Sequence, residues 1–408
     1  MQSKAKYPQP KQRSAILEST RNLKMARSAH RYVRGSTVKF YEWLDQIQAG
    51  AIPEGPSIWI CGDCHVGNLG PVANHLGAIE IQIRDLDQTV IGNPAHDLLR
   101  LALSLASAAR GSDLPGVTTA LMLEAMMAGY EKSFAPDFDE QSDLQAPDTV
   151  RLIIRQSAAA TWKTLANERI EGPDPQIPLG RRFWPISKQE HGQLTQLAQS
   201  DEIKRLATML GSRDDDAAVK LQDAAYWMKG CSSLGLLRYA AILSVGNRRS
   251  DKQYCLMDFK EAKTAAAPRA KGAKMPVDQA ERMVEGARYL SPYLGKRARA
   301  TSLLGKPVFV RELLPQDLKV EVEKLTDQEA VRIAAYLAAV VGKAHSRQLD
   351  ATSRKAWLTE LEHNRTSTLD APTWLWKSVV ELLGIHERAY LEHCRKYALS
   401  TRESESKG

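Results

Sequence analysis

The residues best equipped for chemistry crowd into one short stretch, ICGDCHVGNLG, Ile60 to Gly70. Cys61, Cys64 and His65 spell CxxCH, the spacing of a c-type haem attachment site, and the two cysteines alone spell a redox pair or half a zinc site. The same letters hold Asp63, His65 and Asn68 as GDxHxxN, a pattern of phosphate-transfer chemistry. These three readings exclude one another.

Composition narrows the choice. The chain has 408 residues, 43% hydrophobic and 25% charged, near the globular average and long enough for one large or two moderate domains. Its start, MQSKAKYPQPKQRSA, is polar and broken by proline, with no apolar core of a signal segment, and nowhere do about 18 apolar residues run together. A soluble, cytoplasmic protein with no membrane partner is expected. Five cysteines in so long a chain are sparse and odd in number, which fits a reducing compartment. Haem attachment follows export, and a structural zinc site wants a second close pair of ligands, so both readings weaken. A thioredoxin-like pair should open a helix, yet Gly67, Gly70 and Pro71 follow. Cys61 and Cys64 are therefore expected to be packing residues on either side of Asp63.

The flanking elements favour the third pattern. SIWI, bounded by Pro56 and Gly62, reads as a buried strand feeding a loop. In AIEIQIRDLDQ, Ile79, Ile81 and Ile83 recur at period two and line one face of a strand ending at Asp85 and Asp87. A loop carrying Asp63 and Asn68 beside a strand delivering Asp85 makes an oxygen-rich corner. Hard Mg²⁺ takes such carboxylate and amide oxygens together with substrate phosphates.

CGDCHVGNLG followed by IRDLDQTVIGNPAHDLLRLALSL resembles the catalytic loop and metal-binding segment of the aminoglycoside phosphotransferase and choline kinase branch of the protein-kinase-like superfamily. Asp63, His65, Asn68, Asp85, Gly92, Pro94, Ala95, Asp97 and Leu98 match in order. Cys61 stands where that branch has His, and Asn93 where it has Asp. Only about sixty residues precede Asp63, too few for the nucleotide lobe that comes first in kinases. Further on, KGCSSLGLLRYAAILSVGNRRSDKQYCLMDFKEA reads as a Gly-rich turn, a strand, a polar turn and a strand ending in Lys260. VDQAERMVEGARYL, PVFVRELLP and QEAVRIAAYLAAVVGKAHSRQ then supply a helix, a strand and an apolar helix in kinase-like order. The order is permuted. With KMARSAHRYVRGS ahead of the catalytic motif, the chain from Lys24 to Gln348 resembles a bacterial family known as domain of unknown function 2252.

The resemblance implies an α+β, protein-kinase-like two-lobe fold. Its parts would be a flexible tail over 1–23, a helical catalytic lobe over 24–222, a β-rich nucleotide lobe over 223–316, C-terminal helices over 317–400 and a tail over 401–408. It implies ATP and Mg²⁺ as cofactors, and transfer of the γ-phosphoryl group to a hydroxyl of a small-molecule or protein acceptor. Asp63 would accept or orient the proton of the acceptor hydroxyl, and His65 in the same loop would be a second catalytic residue or else a structural hydrogen-bonder. Asn68 and Asp85 would hold Mg²⁺, with Asp87 as a ligand to a second metal ion or simply a supporting acceptor. Amides around Gly230, Ser232, Ser233 and Gly235 would cover the phosphates, although Ser232 replaces the middle glycine of GxGxxG. Lys260 would contact the phosphates, held by Glu285 or else Glu281, and Asp97 would brace the catalytic loop. One shared site requires Lys260 within about 15 Å of Asp85.

Bland alternatives stand beside each role. Asp63 could be an Asx-turn residue, Asp97 a helix N-terminal charge and Lys260 a solvated strand end. Nucleotidyl transfer on the same site, or a nucleotide-binding module without turnover, remain open as functions. Acceptor identity and oligomeric state are not legible.

Elsewhere, Leu101 to Phe134 reads as core helices whose methionines pack inside, Ala135 to Thr149 as an acidic surface loop, and Val150 to Gln222 as an insertion or lobe connector. Trp374 to Tyr397 reads as a final helix. The net charge of +8 comes from scattered basic residues with few aromatics, which suits an anionic nucleotide or acceptor better than nucleic acid.

Overall fold

The computed structural model describes residues 7–138, 144–159, 175–209, 213–230, 233–248, 252–314, 326–362 and 371–399. Ser232 and residues 401–408 lie outside them. The chain is a mixed α+β protein, and among the described residues no helix is long and apolar enough to cross a membrane.

The first part opens with α1 (Pro10–Met25), α2 (Ala29–Gly35) and α3 (Thr37–Leu44). Four short strands follow, β1 (Ile58–Ile60), β2 (Leu69–Ala73), β3 (Ile79–Ile83) and β4 (Val90–Gly92). They form two antiparallel ribbons, β1 with β4 and β2 with β3. The strand expected over Ile79 to Ile83 is present, with Ile81 and Ile83 buried. β2 was not expected, because Gly70 and Pro71 read as breakers. A two-stranded ribbon has free edges, and a proline's missing N–H is tolerated there.

Next come α4 (Ala95–Gly111), α5 (Gly116–Lys132) and α6 (Asp148–Ala159). α4 is buried on every side from Ala95 to Ala109, so its charged residues Asp97 and Arg100 need partners within the fold. Met122, Met126 and Met127 of α5 are core residues, as their spacing suggested.

The second part is a six-stranded antiparallel sheet. It begins with β5 (Phe183–Trp184), followed by α7 (Lys188–Ala198) and α8 (Asp201–Thr208). β6 (Val219–Trp227), β7 (Arg238–Val245) and β8 (Gln253–Glu261) run on as consecutive hairpins. After α9 (Gln279–Leu290) and α10 (Pro292–Lys296) come β9 (Ala298–Leu303) and β10 (Lys306–Leu313). The order is β5-β6-β7-β8-β10-β9. One face carries Tyr239, Leu243, Met257, Phe259 and Val310 in a core shared with Leu194, Ile203 and Leu206 from α7 and α8. Within the stretch 150–222, read as an insertion or connector, α7 and α8 therefore supply the cover of this sheet face.

The helices α11 (Asp327–Ser346), α12 (Ala351–Glu362) and α13 (Thr373–Cys394) return to pack around α4 and α5. The segment over 10–23 is not a free tail. Leu17 of α1 is buried in the sheet core, and Arg13 makes a buried ion pair with Glu190 at 2.6 Å while donating to the Pro185 carbonyl at 2.8 Å. The Tyr239 hydroxyl completes that carboxylate's shell at 2.6 Å. An arginine with carboxylate and carbonyl partners can be buried where an isolated charge could not.

Candidate functional site

The loop after β1 is shaped by Gly62 and held by Asp97. Gly62 has φ +72° and lies so close to the Gln88 carbonyl that a Cβ would sit 2.2 Å from its oxygen, so only glycine fits. Asp97, in the first turn of α4, accepts from the backbone N–H groups of Cys61 at 2.7 Å and Gly62 at 2.8 Å. Its Oδ2 also lies 3.2 Å from His345 Nε2 on α11. A carboxylate only accepts, so Nε2 carries the proton there. In the neutral ring, Nδ1 then accepts from the Tyr130 hydroxyl at 2.9 Å, and that oxygen accepts from Trp357 Nε1 at 3.1 Å. Cys61 and Cys64 are fully buried free thiols. The Cys64 contact and burial push the Cys61 thiol well above the usual range, which suits packing rather than redox work.

Asn68 ties this loop to the β3 exit. Its amide nitrogen donates to the backbone carbonyls of Asp85 at 2.8 Å and Asp63 at 3.2 Å, and its Oδ1 accepts from the Asp85 N–H at 2.7 Å. One lone pair of that oxygen is thus committed to the backbone. Asp63 is engaged by Arg100 of α4 through both Nε, at 3.2 Å, and Nη2. Burial outweighs this guanidinium and holds the Asp63 carboxyl above its ordinary pKa. His65 Nε2 stands 3.9 Å from Asp63 Oδ2, beyond a hydrogen bond. Burial, with Arg34 and Arg100 nearby, keeps that ring neutral by depressing its pKa strongly.

The decisive contact joins the two parts of the chain. Lys260 Nζ on β8 lies 2.9 Å from Asp85 Oδ1 and 2.5 Å from Asp87 Oδ2, well inside the distance one shared site requires. Burial works against the ammonium, but the two carboxylates outweigh it and raise its pKa. Burial likewise works against the Asp85 charge, and Lys260 overrides it, so Asp85 titrates well below its ordinary value. Asp87 moves the other way, pushed up to about 6 by burial and by the Asp85 charge. Two carboxylates sharing one ammonium cannot both be fully compensated. Asp87 Oδ1 is buried and has no hydrogen-bond partner.

Beneath this triad one sheet face is charged. Arg238 on β7 stands directly opposite Lys260, and Asp258, two residues along β8, takes the Arg238 Nε at 2.9 Å and Nη2 at 2.5 Å. Arg311 on β10 adds a longer contact to Asp258, 3.4 Å. In the turn between β6 and β7, Gly230 and Gly235 are at positive φ. A cavity of about 370 Å³ is lined by Ser233 and Gly235 of that turn, by Asp87 and Gln88, and by Ser14 and Glu18 of α1.

The family described as "Uncharacterized protein conserved in bacteria (DUF2252)" matches residues 13–396. The chain belongs to this family. No curated protein and no solved structure matches it. The DUF2252 match spans every residue of the site and begins at Arg13, which anchors α1 beside the cavity.

One pairing expected from sequence is corrected. Neither Glu285 nor Glu281 meets Lys260, whose ion partners are Asp85 and Asp87. α9 presents Arg282 instead, which donates to the backbone carbonyls of Thr89, Asp87 and Lys263 and so fixes the segment after Asp87. An amphipathic helix shows which residues face inward only to within a turn, and Arg282 is the one buried. Arg100, His345, Tyr130 and Arg282 were missed. Each is an ordinary helix residue by spacing, and only the tertiary contact marks it.

Do these residues suit Mg²⁺ and ATP? Among the described residues no cluster of three or more His, Cys, Asp or Glu forms an all-protein cage. A pair of carboxylates, one with an unpartnered buried oxygen, suits Mg²⁺, which keeps waters and takes substrate phosphate oxygens. The Lys260 ammonium suits a phosphate oxygen.

Proposed function

We propose that this DUF2252 protein is an ATP- and Mg²⁺-dependent phosphotransferase acting on a hydroxyl acceptor, with a protein-kinase-like arrangement in permuted chain order. The observation that carries the reading is Lys260 meeting Asp85 across 175 residues of sequence, with Asp87 as its second partner beside a cavity lined by a glycine-bearing turn. Bound Mg²⁺ supplies charge neutralisation for the phosphates. Asp85 and Asp87 would hold the cation, and the Lys260 ammonium beside them would neutralise a phosphate oxygen. Asp63 orients the acceptor hydroxyl and takes its proton. Its raised pKa makes it a better base than an ordinary carboxylate, while Arg100 fixes its rotamer. Asp97, His345 and Asn68 hold the loop that positions it. Phosphoryl transfer asks little more of a protein than such placement and charge.

The test is product analysis with Mg²⁺-ATP across a panel of sugars, amino alcohols and hydroxylated peptides. ADP formed by the wild type and abolished in Asp63→Asn and Asp85→Ala supports the proposal. Pyrophosphate would move the assignment to nucleotidyl transfer. Binding of ATP without either product would make the protein a nucleotide-binding module.

A further inference from the structure

A second, larger cavity of about 680 Å³ lies away from Lys260, between α2, the end of α4 and α13. That volume is in the range of small-molecule sites. Its charged wall consists of Arg27, Arg31 and Arg110 with the single carboxylate Glu387. Glu387 is already engaged by Arg110 at 3.1 Å. Arg27 and Arg31 have no carboxylate partner among the described residues, so the cavity is left cationic.

Two imidazoles add direction. His386, 2% exposed, places Nδ1 2.9 Å from the Leu382 carbonyl. A carbonyl only accepts, so Nδ1 carries the proton, and in the neutral ring Nε2 offers a lone pair. That Nε2 has no partner, and neither has His30 Nδ1 on the facing helix. Burial lowers both pKa values to about 4, so both rings are neutral at pH 7. A buried acceptor without a donor costs on the order of 1–3 kcal/mol, which a ligand hydroxyl would remove. Arginines select phosphate or carboxylate.

We infer that this cavity binds a small organic anion carrying a phosphate or carboxylate together with a hydroxyl, at a site separate from the Lys260 cleft. The site is joined to Asp63 by one side chain. Val33 lines the cavity, and its carbonyl accepts from Arg100 Nη2 at 3.2 Å while Arg100 Nε holds Asp63.

Isothermal titration with glycerol 3-phosphate, with inorganic phosphate as the comparison, tests this on the full chain. Arg27 and Arg31 are exposed, so the double variant Arg27→Gln/Arg31→Gln keeps the fold. Saturable binding of glycerol 3-phosphate, tighter than inorganic phosphate, weakened at least tenfold in the double variant and unchanged in Asp85→Ala with Mg²⁺-ATP analogue added, supports the site. No saturable binding to the wild type, or equal binding by the double variant, overturns it. Displacement of glycerol 3-phosphate from the wild type by the ATP analogue would also overturn it, by placing the anion in the Lys260 cleft.

Discussion

Two carboxylate sites close in sequence, Asp97 and the pair of Asp85 and Asp87, are built in opposite ways. Asp97 is fully buried, and the contacts of its two oxygens, two backbone N–H groups and His345, all belong to the fold. The Asp85 and Asp87 side chains are 49% and 24% exposed, share one ammonium and leave one oxygen unpartnered. The first cluster is closed and stabilises the loop. The second is incompletely satisfied, and one of its members, Asp87, lines a cavity. Unsatisfied polar groups at a cleft are a cost to stability that a ligand can remove.

That contrast predicts a graded set of outcomes. Asp97→Ala should be the most damaging change, costing about 4 kcal/mol in urea unfolding because it strands two buried N–H groups and His345. A loss under about 1 kcal/mol would show the loop to be held by other contacts. Arg13→Ala should cost about 3 kcal/mol by leaving Glu190 buried without its partner. It should also weaken nucleotide binding, since α1 lines the cleft. A stability loss with nucleotide affinity intact would remove α1 from the site.

Asp87→Asn should act in the other direction. A carboxyl whose folded pKa of about 6 exceeds its unfolded value contributes most to stability when protonated, at low pH. That contribution is lost as pH rises through about 6. Asn mimics the protonated form at every pH. The variant should therefore match the wild type near pH 4 and exceed it at pH 7 by on the order of 1 kcal/mol, while losing metal-dependent nucleotide binding. Destabilisation at pH 7 would mean that the Lys260 pair serves the fold. The smallest effect is on the wild type itself, whose Mg²⁺ affinity should rise between pH 5 and 7 as the cation replaces the Asp87 proton. A flat profile would take Asp87 out of the cation site.

The same contrast explains what could be read from sequence. The loop of Asp63 and Asn68, the period-two strand of Ile81 and Ile83, the core helices and the hairpin ending in Lys260 are local patterns, and all are legible before the fold is known. Asp85 and Lys260 are each visible, yet their meeting is tertiary. The helix at residues 10–25 was missed because its proline and charges resemble a tail, and its reason to be ordered is Glu190, far along the chain. Glu285 and Glu281 point to α9 only if Lys260 needs an acidic partner from that helix, whereas Asp85 and Asp87 already fill that role.

The most direct test of the nucleotide site is calorimetric titration with a slowly hydrolysed ATP analogue, with and without Mg²⁺, on the wild type and Asp85→Ala. Binding that requires Mg²⁺ and disappears in the variant is the predicted result. Absence of binding to either protein, or binding indifferent to both Mg²⁺ and Asp85, would contradict the assignment of Asp85, Asp87 and Lys260 to a nucleotide site.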